Sequence, residues 1–244
     1  MSIIERINKK LPKVYQPWSA PLIYTKLPDS LFNSLIEITD LISREKNPAR
    51  AGHGLAGEIE KEFYIDTYLL DKIEFTKYIE NLTYAYTEIV KSQYHILESN
   101  DGSITSGGLP ILNFQEHLVN LKISTAWFND QQDHEYNPVH NHNGLFSGVL
   151  YLKIPEYLPD RKQSDNKGIM SDGQIMFVKQ ESMTDYYLTR PTINFSPKPK
   201  DLFLFPSVLL HTVTPFRTPD GKGVRRSMSF NIEDNNRRKD YDDN

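Results

Sequence analysis

The run Asn137-Pro138-Val139-His140-Asn141-His142, with Ser147-Gly148-Val149-Leu150-Tyr151-Leu152 shortly after it, decides how the rest of the chain is read. The second piece is strand-like, and the first leads into it with two imidazoles separated by one residue. Alternate side chains of an extended chain share a face, so His140 and His142 would sit about 7 Å apart at their α-carbons. Both rings can then lean toward one point, a separation that suits a shared metal ion.

Outward from this run, the second half keeps a period close to two. Candidate strands are Leu121 to Phe128, Leu145 to Lys153, Gly173 to Val178, Asp201 to Phe205, Leu209 to Thr214 and Arg225 to Ile232, with polar, proline-containing loops between them. Asn100-Asp101-Gly102-Ser103 breaks the chain, and before it the period is close to 3.6. Leu31, Leu35, Ile36, Ile38, Leu41 and Ile42 predict a helix from Asp29 to about Arg44, capped by Asp29-Ser30. Ile73, Tyr78, Ile79, Leu82, Ala85, Tyr86, Ile89 and Val90 predict a second over residues 71 to 98. Residues 1 to 28, with scattered prolines and aromatics, suit an extended leading segment in which Leu22-Ile23-Tyr24 is an edge strand.

Helices first and strands after predict an α+β protein whose strand half is a sandwich or barrel with the helices packed outside it. Strand number favours a jelly roll over a doubly wound sheet, because few helices punctuate the second half. The expected organisation is an extended segment with supporting helices over 1–104, a jelly-roll core over 105–233 and a charged tail over 234–244, all one folded unit. No internal repeat is present.

The bulk composition narrows the function. The chain has 244 residues, 38% hydrophobic and 25% charged, which places it among folded globular proteins. A net charge of -4 gives no general affinity for nucleic acid or for an acidic membrane surface. Cysteine is absent, which excludes disulfides, thiolate zinc sites and cysteine nucleophiles and is compatible with a reducing compartment. With no secretory pattern and no apolar run near the roughly 20 residues that span a bilayer, a soluble cytoplasmic protein is expected.

Of the seven histidines, His53, His95, His117 and His134 sit in ordinary loop or helix contexts. Ala51-Gly52-His53-Gly54-Leu55-Ala56-Gly57 is a glycine-rich loop with no lysine after it, so it reads as a connector rather than a phosphate loop. His211 differs. It follows the apolar run Leu202-Phe203-Leu204-Phe205 and then Val208-Leu209-Leu210, and a histidine leaving a buried strand is either a satisfied core residue or a ligand. With His140 and His142 it would make a three-imidazole site for Fe(II), Zn(II) or Cu(II), with open positions left. The fourth element is Gly223-Val224-Arg225-Arg226-Ser227-Met228-Ser229-Phe230-Asn231, which begins 12 residues (223 − 211) after His211. By period two, Arg225, Ser227, Ser229 and Asn231 share one face. Such a face is buried only if an anion or a polar network satisfies it, and a guanidinium forked onto a carboxylate beside a serine hydroxyl does so.

In order and spacing, Trp127-Phe128-Asn129, His140-Asn141-His142, Ser147 to Leu152, Asp201 to Ser207, His211 and Arg225 to Asn231 resemble the Fe(II)- and 2-oxoglutarate-dependent dioxygenases, most of all a bacterial and phage group of 2-oxoglutarate-Fe(II) oxygenases. The resemblance spans residues 127 to 231, a little under half the chain. It implies a double-stranded β-helix, the jelly roll already favoured. It also implies His140 and His211 as iron ligands, Arg225 and Ser227 as the clamp on the distal carboxylate of 2-oxoglutarate, and Tyr151 as a further contact to that carboxylate. Trp127, Asn129 and Asn231 are the substrate-side candidates. One departure stands out: the usual motif is His-x-Asp or His-x-Glu, and here that position holds His142. Either His142 is the third ligand, or an acid such as Asp133 or Glu135 completes the site.

The expected activity is oxidative decarboxylation of 2-oxoglutarate to succinate and CO2 with hydroxylation of a substrate C–H bond, using Fe(II), with ascorbate as an auxiliary reductant. Peptide, nucleobase and small-molecule substrates are all compatible with the sequence, and it leaves the oligomeric state open. The alternatives are a non-catalytic jelly-roll binding or assembly module that has lost the carboxylate ligand, and a three-histidine dioxygenase that needs no co-substrate. The second leaves Arg225-x-Ser227 without a role. The loop from Pro155 to Asp172 is a candidate lid.

Overall fold

The computed structural model describes residues 13–15, 21–52, 55–93, 97–98, 104–106, 109–111, 121–158, 172–178 and 192–234. His53, His95, His117, most of the 155–172 loop and the tail beyond 234 lie outside these residues.

Strands β1 (Lys13–Tyr15) and β2 (Leu22–Lys26) precede helix α1 (Asp29–Arg44). Strand β3 (Glu62–Tyr64) leads into α2 (Thr67–Lys72) and α3 (Phe75–Gln93). Short strands β4 (Leu97–Glu98), β5 (Ile104–Ser106) and β6 (Leu109–Ile111) form a small sheet of their own. The strand half follows as β7 (Leu121–Gln132), β8 (Asn137–His140), β9 (Phe146–Lys153), β10 (Ile175–Val178) and β11 (Thr192–Phe195), then β12 (Asp201–Pro206), β13 (His211–Val213) and β14 (Val224–Asp234).

These make a seven-stranded sheet in the order β1-β2-β12-β9-β14-β7-β3 and a four-stranded sheet in the order β11-β10-β13-β8. From β7 onward the chain passes back and forth between the two sheets, and every pairing within them is antiparallel. That is the jelly roll expected from the strand pattern. Among the described residues no helix is long and apolar enough to cross a membrane.

The large sheet is covered on both faces, which explains why its strands are apolar almost throughout. On β12, Leu202 and Leu204 join a core shared with the helices, through Leu35 of α1, Leu70 of α2 and Ile79 and Leu82 of α3. Phe203 and Phe205 point the other way and pack with Val149, Tyr151 and Phe177 between the two sheets. The helix-side core is close enough at β9 that Gly148 is required: a Cβ there would come within 2.1 Å of the Phe230 ring on the neighbouring strand.

Arg226 fastens the helical layer to the sheet. Its guanidinium donates to both carboxylate oxygens of Asp130 at 2.5 Å, and it also reaches Asp40 and Thr39 on α1 at 2.6 and 3.2 Å. Lys153 meets the same Asp40 at 2.5 Å.

Several expectations need correction. The helix over 71–98 is two helices, because the chain turns at Ile73–Glu74 with Glu74 at a φ of +62°, and it ends at Gln93 before β4. The cap of α1 is not Asp29-Ser30: Pro28 holds the N-cap position without a side-chain cap, and Asp29 sits in the first turn, paired with Lys200 at 2.8 Å. Leu22–Tyr24 is no edge strand, since β2 lies between β1 and β12. Strands β3, β8 and β11 have no counterpart among the expected strands; each is only three or four residues long, and β8 and β11 are half-buried or exposed, so their alternation is faint.

Truncating Asp130 leaves a buried guanidinium with only the partners on α1. Asp130→Ala should therefore destabilise the fold by about 3 kcal/mol in urea unfolding, as should Arg226→Met, which strands the Asp130 carboxylate, and the double substitution should cost clearly less than the sum of the two.

Candidate metal centre and its cavity

Strands β8 and β13 pair at their ends so that His140 and His211 are register partners. Each ring is oriented in the same way, by a hydrogen bond from Nδ1 to the backbone carbonyl two residues earlier: Pro138 at 2.7 Å for His140, and Leu209 at 3.0 Å for His211. A carbonyl only accepts, so Nδ1 carries the proton in both rings and Nε2 is left with its lone pair. His142 follows the end of β8, and its backbone N–H donates to the carbonyl of Ser207 at 2.9 Å. The three ring centroids lie 4.3 to 5.0 Å apart, and one ligand nitrogen from each falls within 4.8 Å of the other two. Among the described residues no carboxylate joins this group.

Burial keeps all three imidazoles neutral. Desolvation, aided by the other histidines, lowers His142 to about 4 and His211 to about 3, and it lowers His140 as well. Three neutral imidazoles with two fixed tautomers fit a divalent transition metal, because the lone pairs are available without first removing protons.

The centre opens into a cavity of about 110 Å³ between the sheets. Arg225 and Ser227 line it from β14. Arg225 is only 1% exposed. Its Nη1 donates to the carbonyl of Gly173 at 2.9 Å, Nη2 donates to the side-chain oxygen of Gln131, and Nε has no partner. The guanidinium carbon lies 5.8 Å from the Tyr151 ring centre and 5.5 Å from that of Phe216.

Of the substrate-side candidates, Trp127 and Asn129 line the cavity, with the Trp127 ring 5.7 Å from that of His142. Asn231 is not among the described lining residues; its side-chain oxygen accepts from Ser147 Oγ at 2.9 Å. Tyr151 is fully buried, is likewise absent from the lining, and its hydroxyl has no partner. The two acids considered as a replacement ligand are engaged elsewhere. Asp133 accepts from the backbone and hydroxyl of Thr218 at 2.7 and 2.8 Å, and Glu135 accepts from the backbone N–H of Glu60 and Gln132 at 3.1 and 2.7 Å. The wall also holds residues that sequence reasoning did not single out: Glu62, Asn137, and Leu55 and Ala56 of the glycine-rich loop. Asp172, at the end of the candidate lid, forms a two-point pair with Arg217 at 2.8 and 3.2 Å.

Fold and site together define a jelly-roll protein with a three-histidine constellation at the mouth of an inter-sheet cavity. Residues 125–231 match the family described as "Putative 2OG-Fe(II) oxygenase", a stretch that contains all three histidines and Arg225-x-Ser227. No curated protein matches the chain. Among solved structures, the fold is similar to that of the non-heme alpha-ketoglutarate-dependent epimerase SnoN from nogalamycin biosynthesis, with 12% identity, 87% of this chain and 77% of that one covered, and a TM-score of 0.50. A Pseudomonas putida prolyl-4-hydroxylase aligns at 15% identity over 87% and 92% of the two chains, with a TM-score of 0.47. HygX from Streptomyces hygroscopicus, with nickel, 2-oxoglutarate and hygromycin B bound, aligns at 9% over 89% and 84%, with a TM-score of 0.49.

Two measurements check the centre. In metal-free protein the unfolded chain takes up histidine protons below about pH 6.5 that the native chain refuses until near 4 and 3, so native stability should decline across that window. Glu62, raised to about 7, acts oppositely, its contribution being lost as pH rises through 7. Urea midpoints for His211→Gln should therefore show a shallower acid decline than those for the parent. Second, Fe(II) or Ni(II) at about 100 times its Kd should stabilise the parent by about 2.7 kcal/mol, and this gain should vanish in His211→Ala.

Proposed function

We propose that this protein is an Fe(II)- and 2-oxoglutarate-dependent dioxygenase that hydroxylates a substrate held between the two sheets. The observation that carries the reading is the convergence, in one cavity, of His140, His142 and His211 with the buried pair Arg225 and Ser227. The three histidines would hold the iron. When bound, Fe(II) with 2-oxoglutarate would activate dioxygen, one oxygen atom entering a substrate C–H bond and the other the succinate formed as 2-oxoglutarate loses CO2.

The chain's own part is positioning and electrostatics. The Nδ1–H bonds of His140 and His211 hold their rings so that both lone pairs face the centre. Arg225 supplies a positive charge away from bulk water, with the Ser227 hydroxyl two residues along the same face. Its planar fork suits a carboxylate, and a carboxylate displaces the neutral Gln131 amide because it cancels the guanidinium charge and can accept two parallel hydrogen bonds where the amide oxygen accepts one. The Nε of Arg225 is buried without a partner and would be a further donor to that carboxylate. Leu55, Ala56 and Ile59 give the wall an apolar section that excludes water from the reacting groups.

A second reading, a non-catalytic binding module, draws on the missing carboxylate ligand and on the internal partners that Arg225 already has. Purified anaerobically with Fe(II), the protein should show a new absorption band on adding 2-oxoglutarate and form succinate once oxygen is admitted. Arg225→Ala should weaken 2-oxoglutarate binding by about 10- to 100-fold, the loss of a charged hydrogen-bond pair worth roughly 1.5–3 kcal/mol, while retaining the metal. A protein that binds no iron and turns over no 2-oxoglutarate fits the second reading instead.

A further inference from the structure

The cavity has a second charged wall that holds neither metal nor co-substrate. Glu62 on β3 is the register partner of Asn129 on β7, and Asn129 is the partner of Ser227 on β14. The three therefore form one row across the large sheet, and all three line the cavity. Glu62 and Ser227 are two strand spacings apart, about 10 Å, so the acid lies well away from the carboxylate clamp.

Glu62 is 2% exposed, and its Oε1 has no hydrogen-bond partner. The same holds for Oδ1 of Asn129 beside it, and for Oδ1 of Asn137, which reaches the cavity from β8 in the opposite sheet. Three buried acceptors on residues of one cavity wall thus lack a donor. Arg225 is the one cationic side chain among the described residues lining the cavity, and it is bonded to Gly173 and Gln131. An unpaired buried carboxylate is costly, and natural interiors rarely leave one without a counter-charge. Burial first, and the negative charge of Glu135 second, raise Glu62 to about 7, as befits a carboxyl group whose partner is missing.

We propose that Glu62, with Asn129 and Asn137, recognises a cationic nitrogen of the substrate, an alkylammonium or a guanidinium. An ammonium brings three donors and a guanidinium five, enough for all three acceptors, and either cancels the buried charge. The substrate is then a basic small molecule or the side chain of a basic residue in a peptide. The fate of the bound molecule rests on the dioxygenase reading, whereas binding of the cation rests on the cavity alone.

The test is calorimetric titration at pH 8 of protein loaded with Ni(II) and 2-oxoglutarate, using n-butylammonium, agmatine and the neutral 1-pentanol as probes. Both cations should bind and the alcohol should not. Glu62→Gln, which keeps the shape and removes the charge, should weaken cation binding at least tenfold while metal content and 2-oxoglutarate binding match the parent. Free lysine amide against short lysine- and arginine-containing peptides then separates the two sources, and binding of either supports the site. Should Glu62→Gln fail to fold by circular dichroism, Asn129→Asp, which adds charge to the same wall, should tighten cation binding several-fold. Equal binding of cations and alcohol, or cation binding indifferent to both substitutions, overturns the inference. Cation binding that persists where 2-oxoglutarate does not bind leaves this site standing and removes the dioxygenase reading.

Discussion

Strand β14 is hydrogen-bonded along both edges, to β7 and to β9, and covered on both faces. Its buried polar side chains, Arg225, Arg226 and Ser227, must therefore be satisfied within the protein or by something the protein binds. Arg225 and Arg226 are adjacent in sequence, and the period of two sends them to opposite faces. Arg226 goes to the helical layer and meets two carboxylates there. Arg225 goes to the inter-sheet face and meets neutral oxygens only. One arginine closes the structure, and the other lines the cavity.

The same two-sided burial sets the place of the site. Between the sheets, Phe177, Phe203 and Phe205 fill the space near β10 and β12. Toward β7 and β14 the short or polar Asn129, Ser227 and Ser229 stand among the larger Trp127, Gln131 and Arg225, and the cavity forms there. The four-stranded sheet closes it from the other side, and the ends of β8 and β13 bring His140 and His211 to it. The three histidines, Arg225 with Ser227, and Glu62 thus line one gap in the inter-sheet packing.

Much of this was legible in the sequence wherever side-chain character alternates strongly. Leu202 to Phe205 and Arg225 to Ile232 read as strands because both faces have a definite role, and His140, His142, His211, Arg225 and Ser227 stood out as polar groups attached to apolar runs. Short or weakly alternating elements did not stand out. Strand β8 carries His140 and leads into His142, yet it is half-buried, contains Pro138 and, among the described residues, pairs in its sheet only with β13. Glu62 was invisible for a related reason. In Glu58 to Glu62 it looks like one more charge in a solvated segment, and only the pairing of β3 onto β7 buries it. Asp133 and Glu135, nearer the histidines in sequence, are taken up by Thr218 and by the backbone of Glu60 and Gln132.

The sequence by itself determined the order of helices and strands, the jelly-roll class and the identity of the imidazoles and of the inward-facing arginine, because these follow from local periodicity and side-chain chemistry. Tertiary structure alone decided that the three rings meet, that no carboxylate among the described residues joins them, and that a glutamate from an edge strand lines the same cavity. Those facts depend on which strands become neighbours, and pairing between residues far apart in sequence leaves no mark on the local pattern.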